Sequence, residues 1–400
     1  MLGKHLPCQP LSPVVLGLAC TLCACTSDGD PTASSNTPRT PGDIAVSVVE
    51  HEEPDIPEVG LPPDGRVVPA YTTPKVPGDA DDPAIWVHPD DPTQSLIFGT
   101  DKVGADDGVP DGGLYVYDLF ANELPELHQL GLAGPNNVDV QQGVPIGGEV
   151  IDIAVVTEVF AEQLRVYRLP EMEPIDGGGL RVFEGENGRY AQPSGVGIYL
   201  REDGATFLHV SRILGPDRDY LHTYQLVDAG GGEVALSFVG SFGKFSGSKD
   251  IESVVVDDVL GHVYYCDELE GVRKYWADPD HPDYGSSLAK FTGDDDYVEA
   301  REGVTVYARD DGTGYILVSD QLGNEVHVYP REGHDGDPDD HPLLSVFRTL
   351  SIETDGMDAT AVDFDGTYED GLFISHSDEG SFNLFSWHDI EVAIRAGAVD

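Results

Sequence analysis

The sequence has few basic residues and almost no cysteine outside its N-terminus. Only 22 Lys and Arg stand against 73 Asp and Glu, which gives a formal net charge of −51 over 400 residues. A chain with this charge repels nucleic acid and anionic membrane surfaces, so neither is an expected partner. Four of the five cysteines lie at or before Cys25, and Cys266 is alone in the rest of the chain. No structural disulfide is therefore expected.

No apolar run is long enough for a transmembrane helix, and the short run at residues 14–18 is typical of an export signal. Residues 22–25 (LCAC) resemble a bacterial lipoprotein box, which implies lipidation of Cys25 and attachment to the outer membrane or cell surface. Plain secretion is the alternative. Residues 1–25 are thus the predicted signal, and residues 26–67, rich in Pro, Ser, Thr, Asp and Glu, a disordered tether. The folded domain is expected at 68–395.

Apolar segments that end in an aromatic residue recur six times in that domain, at Tyr117, Tyr167, Tyr224, Tyr275, Tyr329 and Phe385. Each follows two other apolar runs, and a weaker fourth run comes after the first five. A four-strand unit repeated about every 54 residues predicts an all-β, six-bladed β-propeller with four antiparallel strands per blade. An N-terminal strand within residues 66–71 is expected to complete the last blade, and helix is limited to a turn near residues 390–395.

Acidic and amide residues recur at two positions of the repeat. Those at the start of the first strand are Asp79, Asp81, Asp82, Asn136, Asn137, Asp250, Glu252, Glu302, Asp355 and Asp358. Those at the end of the second strand are Asp101, Glu158, Asp267, Glu268, Asp320, Gln321 and Asp378. Both positions fall on one face of a propeller, so the side chains are expected around the mouth of the central channel. Their oxygens suit Ca²⁺, although ordinary β-turns also favour these residues.

Three segments resemble motifs of the β-propeller phytases: residues 79–86 (DADDPAIW), 136–139 (NNVD) and 353–358 (ETDGMD). The resemblance extends from about residue 68 to residue 387. That family consists of six-bladed propellers that hydrolyse phytate, the hexaphosphate of inositol, with several Ca²⁺ ions. The resemblance implies that calcium is held by Asp82, Glu252, Glu268, Glu302, Gln321 and Asp355. It also implies that Lys102 grips a phosphate of the substrate.

The expected activity is that of a 3-phytase-type phosphoric monoester hydrolase. Phytate is too negative to approach a bare ring of carboxylates, and bound Ca²⁺ would invert that field. A calcium-activated water would then attack phosphorus in line. Lys102, Glu252 and Glu268 are the residues expected at the reacting group.

Several positions depart from the family pattern, and most of them leave fewer side chains that could bind phosphate. Val159 stands where the family often has an arginine, Ser194 where it often has a tyrosine, and Ala300 where a calcium-binding aspartate is expected. Arg212 and Arg301 are expected to contact substrate and replace some of the lost charge.

Two alternatives stay open: a non-catalytic surface propeller that binds a phosphorylated or sugar ligand, and a calcium-dependent lactonase-like hydrolase. A monomer is expected.

Overall fold

The computed structural model describes residues 65–103, 111–293, 297–298 and 300–399. The predicted signal with its lipidation residue Cys25, and the tether up to residue 64, lie outside these residues. Within the described part of the chain, no helix has the length and apolar character needed to cross a membrane.

The described strands form six sheets, and each sheet is one blade. Two short strands come first, β1 (Arg66–Val67) and β2 (Tyr71–Thr72). Blade 1 contains β3 (Ala80–Trp86), β4 (Leu96–Asp101), β5 (Gly112–Tyr117) and β6 (Gln129–Leu132). Blade 2 contains β7 (Pro135–Ile146), β8 (Glu149–Glu158) and β9 (Gln163–Leu169), with β10 (Glu173–Pro174) and β11 (Leu180–Arg181) sharing its outer edge. Blade 3 contains β12 (Pro193–Leu200), β13 (Thr206–Arg212), β14 (Arg218–Gly230) and β15 (Glu233–Lys244).

Blades 4 to 6 repeat this arrangement. Blade 4 contains β16 (Val254–Asp257), β17 (His262–Asp267), β18 (Gly271–Trp276) and β19 (Ala289–Phe291). Blade 5 contains β20 (Arg301–Ala308), β21 (Gly314–Asp320), β22 (Glu325–Pro330) and β23 (Ser345–Thr349). Blade 6 contains β24 (Met357–Thr360), β25 (Leu372–Ser377) and β26 (Ser381–Ser386). The predicted six-bladed propeller with four antiparallel strands per blade is therefore confirmed.

The N-terminal strands close the ring by joining two different blades. Strand β2 pairs antiparallel with β26 and is the fourth strand of blade 6. Strand β1 pairs in parallel with β23 and adds a fifth strand to blade 5. The sequence predicts the first of these pairings and not the second, and the fold starts before residue 68. Closure leaves each innermost strand in contact with the next, including β24 with β3.

The chain ends in a helix, α1 (Trp387–Ala396), where the sequence predicts no more than a turn. Its buried residues Trp387, Ile390, Ala393 and Ile394 recur every three or four positions, which is the period of one helix face. That face packs into a cluster with Val67 of β1, so the two ends of the domain share one core.

Polar side chains link the innermost strands across the gaps between blades. Asp82 Oδ2 accepts a hydrogen bond of 3.0 Å from the Val138 amide of blade 2. Three contacts of the same kind follow round the ring: Asn137 Oδ1 with the Val196 amide, Ser253 Oγ with the Val304 amide, and Asp358 Oδ2 with the Ile85 amide. These bonds satisfy buried amides that no sheet partner reaches, and they fix the spacing of the blades around the channel.

A buried ion pair joins blades 4 and 5. Arg331 Nε lies 2.6 Å from Asp257 Oδ2, and its NH2 lies 2.7 Å from Oδ1 of the same carboxylate. Both side chains are almost fully excluded from solvent, at 0% and 2% exposure. Two parallel hydrogen bonds hold the pair in one geometry, which sets the angle between the two blades.

We expect Arg331→Met to destabilise the fold by roughly 3–5 kcal/mol, because it leaves the Asp257 carboxylate buried without its partner. Urea unfolding of the variant measures the loss. The double variant Arg331→Met, Asp257→Asn removes both charges and is expected to recover part of that stability. A loss under about 1 kcal/mol in the single variant would show that the pair does not hold the blades together.

Candidate active site

The strand register places the two acidic positions of the repeat on one face. Ala80 at the start of β3 pairs with Asp101 at the end of β4. Arg301 and Asp320 pair in the same way in blade 5. An antiparallel pair brings the start of one strand beside the end of the next, so each blade presents both positions at the same mouth of the channel.

A small cavity opens on this face, and carboxylates from four blades line it. Its lining consists of Asp81, Asp82, Asn137, Glu252, Ser253, Glu302, Asp355 and Gly356. Four of the six predicted calcium ligands, namely Asp82, Glu252, Glu302 and Asp355, are therefore brought together. Each comes from the beginning of an innermost strand or from the residues just before it. Closure of the propeller thus makes one cavity out of residues that are far apart in sequence.

The positive charge around this cavity is too small to balance its carboxylates. Glu302 is 9% exposed, and its Oε2 is buried with no hydrogen-bond partner among the described residues. Burial, with the neighbouring charges of Asp355, Glu268 and Glu252, raises the pKa of Glu302 to about 9. Burial also raises the pKa of Asp355 to about 6, against the opposing effect of Lys102. An orphaned carboxylate oxygen among other hard oxygen donors fits a divalent cation such as Ca²⁺.

Lys102 lies at the edge of the cavity, held by Asp81. Its Nζ is 2.6 Å from Asp81 Oδ1, and its amide donates to the Asp79 carbonyl. Burial alone would lower the pKa of this lysine, but the charges of Asp81, Glu252 and Asp355 raise it well above its ordinary value. The charged form of the lysine is therefore favoured, and the ion pair fixes the position of its ammonium. Asp81 is absent from the predicted ligand set, although it belongs to the acidic run at the start of β3.

The other two predicted ligands lie beside the cavity. Gln321 Nε2 donates a 2.6 Å hydrogen bond to Asp355 Oδ1. Glu268 is 3% exposed, and its Oε2 forms a 2.9 Å ion pair with Lys249. Burial raises the pKa of Glu268 to about 7, and Lys249 opposes that rise. Lys249 has no role in the sequence prediction. Its position three residues before Glu252 is the signal that could have pointed to it.

Most carboxylates at the ends of the second strands hold loops and do not line the cavity. Asp101 accepts hydrogen bonds from the Gly78 and Asp79 amides, and Asp320 accepts one from the Val298 amide. The equivalent bonds in two other blades run from Ala133 to Glu158 and from Ser246 to Asp267. Each fixes the segment that enters the innermost strand of its blade. These four side chains are absent from the lining of the cavity, and their gathering around the channel mouth stays a prediction.

The structure holds both predicted substrate-binding arginines against main-chain carbonyls. Arg212 donates to the Tyr220 carbonyl at 3.0 Å, and its guanidinium lies 4.6 Å from the centre of the Phe183 ring. Arg301 donates to the Thr292 carbonyl from Nε at 2.9 Å and from NH2 at 2.6 Å. Neither side chain is among those that line the cavity. Their contact with substrate stays a prediction.

A second group that could hold a metal ion lies in blade 5. One ligand atom each from Asp320, Glu325 and His327 falls within 4.8 Å of the others. Arg348 Nε donates a 2.8 Å hydrogen bond to Glu325, so a cation already neutralises part of this group. The cavity at the channel mouth is therefore the stronger candidate.

Comparison with known proteins gave a match to a family model and to a curated relative. The family model described as Phytase matches residues 63–384. A curated relative, the 3-phytase of Bacillus subtilis (strain 168), is 28% identical over 337 residues, which cover 80% of this chain and 82% of the relative.

Two solved propellers were also found. The WD40 β-propeller domain of Doa1 shares 14% identity at a TM-score of 0.39, covering 80% of this chain and 96% of that domain. The β-propeller domain of Myceliophteria thermophila Cps50 (Swd1) shares 13% sequence identity at a TM-score of 0.45, and the match covers 79% of this chain and 99% of that domain. Likenesses this distant add nothing on function.

We expect Glu302→Gln to stabilise the protein in chelator and to reduce its stabilisation by calcium. In chelator near neutral pH, burial of Glu302 costs free energy, because its carboxyl group, with a pKa raised to about 9, must take up a proton on folding. Glutamine avoids that cost, so the melting temperature should rise by on the order of 3 °C. With calcium it lacks one ligand and gains less than the native protein. Thermal melts with EDTA and with calcium measure both effects, and Glu126→Gln, at an exposed position, is the control. A lower melting temperature in chelator would contradict repulsion at Glu302.

Proposed function

The chain belongs to the phytase family of hydrolases, and from that premise we propose that it releases phosphate from phytate in a calcium-dependent reaction at the channel mouth. The observation that carries this proposal is the convergence of Asp82, Glu252, Glu302 and Asp355 on one cavity beside Lys102. The printed name of the Bacillus subtilis relative, a 3-phytase, supports phytate as the substrate.

The charge of the cavity supports a need for cations. Phytate carries phosphates of the same sign as the lining carboxylates, so the two repel each other at short range. Lys102 contributes one positive charge, and Asp81 already pairs with it. Additional positive charge is required before a phosphate can enter, and the unpartnered Oε2 of Glu302 is a position from which a cation can be held.

Six residues would hold calcium. Asp82 can use its Oδ1, because its Oδ2 accepts the Val138 amide. Gln321 can use its carbonyl oxygen, because its amide nitrogen donates to Asp355. Glu252, Glu268, Glu302 and Asp355 supply carboxylates. Calcium held by these residues would supply positive charge against phosphate oxygens and would lower the pKa of a water molecule that could serve as the nucleophile.

Lys102 positions and stabilises the phosphoryl group that is transferred. Asp81 fixes the ammonium by the 2.6 Å ion pair, so the lysine loses little side-chain freedom when phosphate binds. Its charge then lies where negative charge accumulates on the phosphate oxygens during transfer. Glu252 lines the same cavity and helps to raise the pKa of Lys102, so its carboxylate favours the charged form of the lysine.

The proposal requires no nucleophilic side chain. Cys266 is fully buried in β17, and burial raises the pKa of its thiol well above the usual range. A thiol in that state is a poor nucleophile. Direct attack by water is therefore the route that the arrangement favours.

We expect the purified protein to release inorganic phosphate from phytate with calcium and to stop when EDTA is added in excess. The reason is that the bare cavity repels the substrate. A colorimetric phosphate assay follows the reaction, and restored calcium should restore the rate. Equal rates with calcium and with EDTA would overturn the calcium requirement, and no phosphate release in either would overturn the activity.

We expect Lys102→Met to lower kcat/KM for phytate by on the order of 10² to 10³-fold, because it removes a fixed charge from the transferring group. Lys75→Met, at an exposed position next to the same blade, is the control and should leave the rate unchanged. Thermal melts of both variants confirm that they are folded. A folded Lys102→Met protein with native kcat/KM would exclude Lys102 from the reaction.

A further inference from the structure

A second lysine, Lys249, lies beside the cavity. It pairs with a different carboxylate from the one that holds Lys102. Lys249 is in the segment at residues 245–253, which joins β15 of blade 3 to β16 of blade 4. Its Nζ is 2.9 Å from Glu268 Oε2. The lysine side chain is 37% exposed and the glutamate 3% exposed. The ammonium is thus open to solvent while its partner is fixed in the protein.

The positive charge of Lys249 acts on more than one carboxylate of the site. It opposes the effect of burial on the pKa of Glu268 and, at longer range, on that of Glu302. Lys102 has the same effect on Asp81 and Asp355. Two lysine ammonium groups therefore act on the carboxylates of the site. Lys102 acts on Asp81 and Asp355, and Lys249 acts on Glu268 and Glu302.

We propose that Lys249 is a second phosphate-contacting residue, whose ammonium stays on Glu268 until a divalent cation takes that carboxylate and then turns to a phosphate of the substrate. This inference depends on the proposed function, because it assumes a phosphorylated substrate at the same mouth. The family resemblance gives Lys249 no role, so the inference adds one positively charged side chain to the site.

The exchange follows from charge and mobility. A divalent cation attracts a carboxylate about twice as strongly as an ammonium at the same distance, so calcium displaces Lys249 from Glu268. The lysine has a flexible four-carbon stem, and the preceding residues Ser246, Gly247 and Ser248 are exposed, so its head can move without disturbing the core. The arginines do not have this freedom, because Arg212 and Arg301 are hydrogen-bonded to main-chain carbonyls.

Lys249→Met tests the proposal through two binding measurements with opposite signs. In calorimetric titrations with calcium alone, the variant should bind calcium several-fold more tightly, because no ammonium competes for Glu268. In titrations of the calcium-loaded protein with inositol hexasulfate, a polyanion that is not a phosphate ester, affinity should fall by about tenfold, as expected for one lost charged contact. With phytate, KM should rise more than kcat falls.

The matched control is Lys290→Met. Lys290 forms a 3.2 Å ion pair with Glu270, and both side chains are largely exposed, at 41% and 49%. This variant removes the same charge from the same blade and should leave both affinities unchanged. Lys249→Arg keeps the charge and should retain most hexasulfate affinity.

Native affinities for both ligands in Lys249→Met would overturn the inference while leaving the proposed function intact. Tighter calcium binding with native hexasulfate affinity would also overturn it, since Lys249 would then only neutralise Glu268. If the native protein binds hexasulfate but releases no phosphate from phytate, the proposed catalysis fails and the binding role of Lys249 survives. If the native protein binds no hexasulfate with calcium present, the binding role of Lys249 fails, and phosphate release from phytate decides the proposed function separately.

Discussion

Repulsion among buried carboxylates is the constraint on which the rest of this molecule depends. The fold brings Asp82, Glu252, Glu302 and Asp355 to one small cavity, where burial disfavours their charged forms. Such an arrangement costs stability, so it persists only where the fold holds it rigidly and where something compensates its charge. The inter-blade hydrogen bonds supply the rigidity. Lys102 and Lys249 supply part of the charge, and the remaining deficit is the reason for proposing divalent cations as ligands of the site.

Ring closure is the structural step that creates this constraint. Asp82 and Asp355 lie in blades 1 and 6, which meet only because β2 completes blade 6 and β24 contacts β3. The Gly356 amide donates to the Asp81 carbonyl across that junction. Both residues line the cavity, so one contact joins blades 1 and 6 and also forms part of the cavity wall. A propeller left open at this point would separate the carboxylates, and their repulsion would favour the open form. The proposed cation binding and the closure of the ring would therefore stabilise each other.

The sequence predicts the blades well, because a strand with one buried face repeats its apolar residues in a way that chance does not. It cannot predict the parallel pairing of β1, since a two-residue strand carries no such pattern. It also cannot separate Asp101 from Asp82. Both are buried acidic residues at a strand end, but Asp101 accepts the amides of its own entering loop and Asp82 faces the cavity. The direction of a side chain at a strand end depends on which amides lie nearby, and those belong to distant parts of the chain.

The departures from the family pattern change how the site can recognise a phosphate. Val159 is buried, and Ser194 is fully buried with its hydroxyl 3.3 Å from Asp250, so neither position offers a group to substrate. Guanidinium groups bind phosphate through two directed hydrogen bonds, but those of Arg212 and Arg301 are committed to carbonyls. Under the proposed function, recognition in this arrangement would rely on ammonium groups and on bound cations, which attract charge with little directional preference. A site of this proposed kind would select for the density of negative charge more than for the position of any one phosphate on the ring.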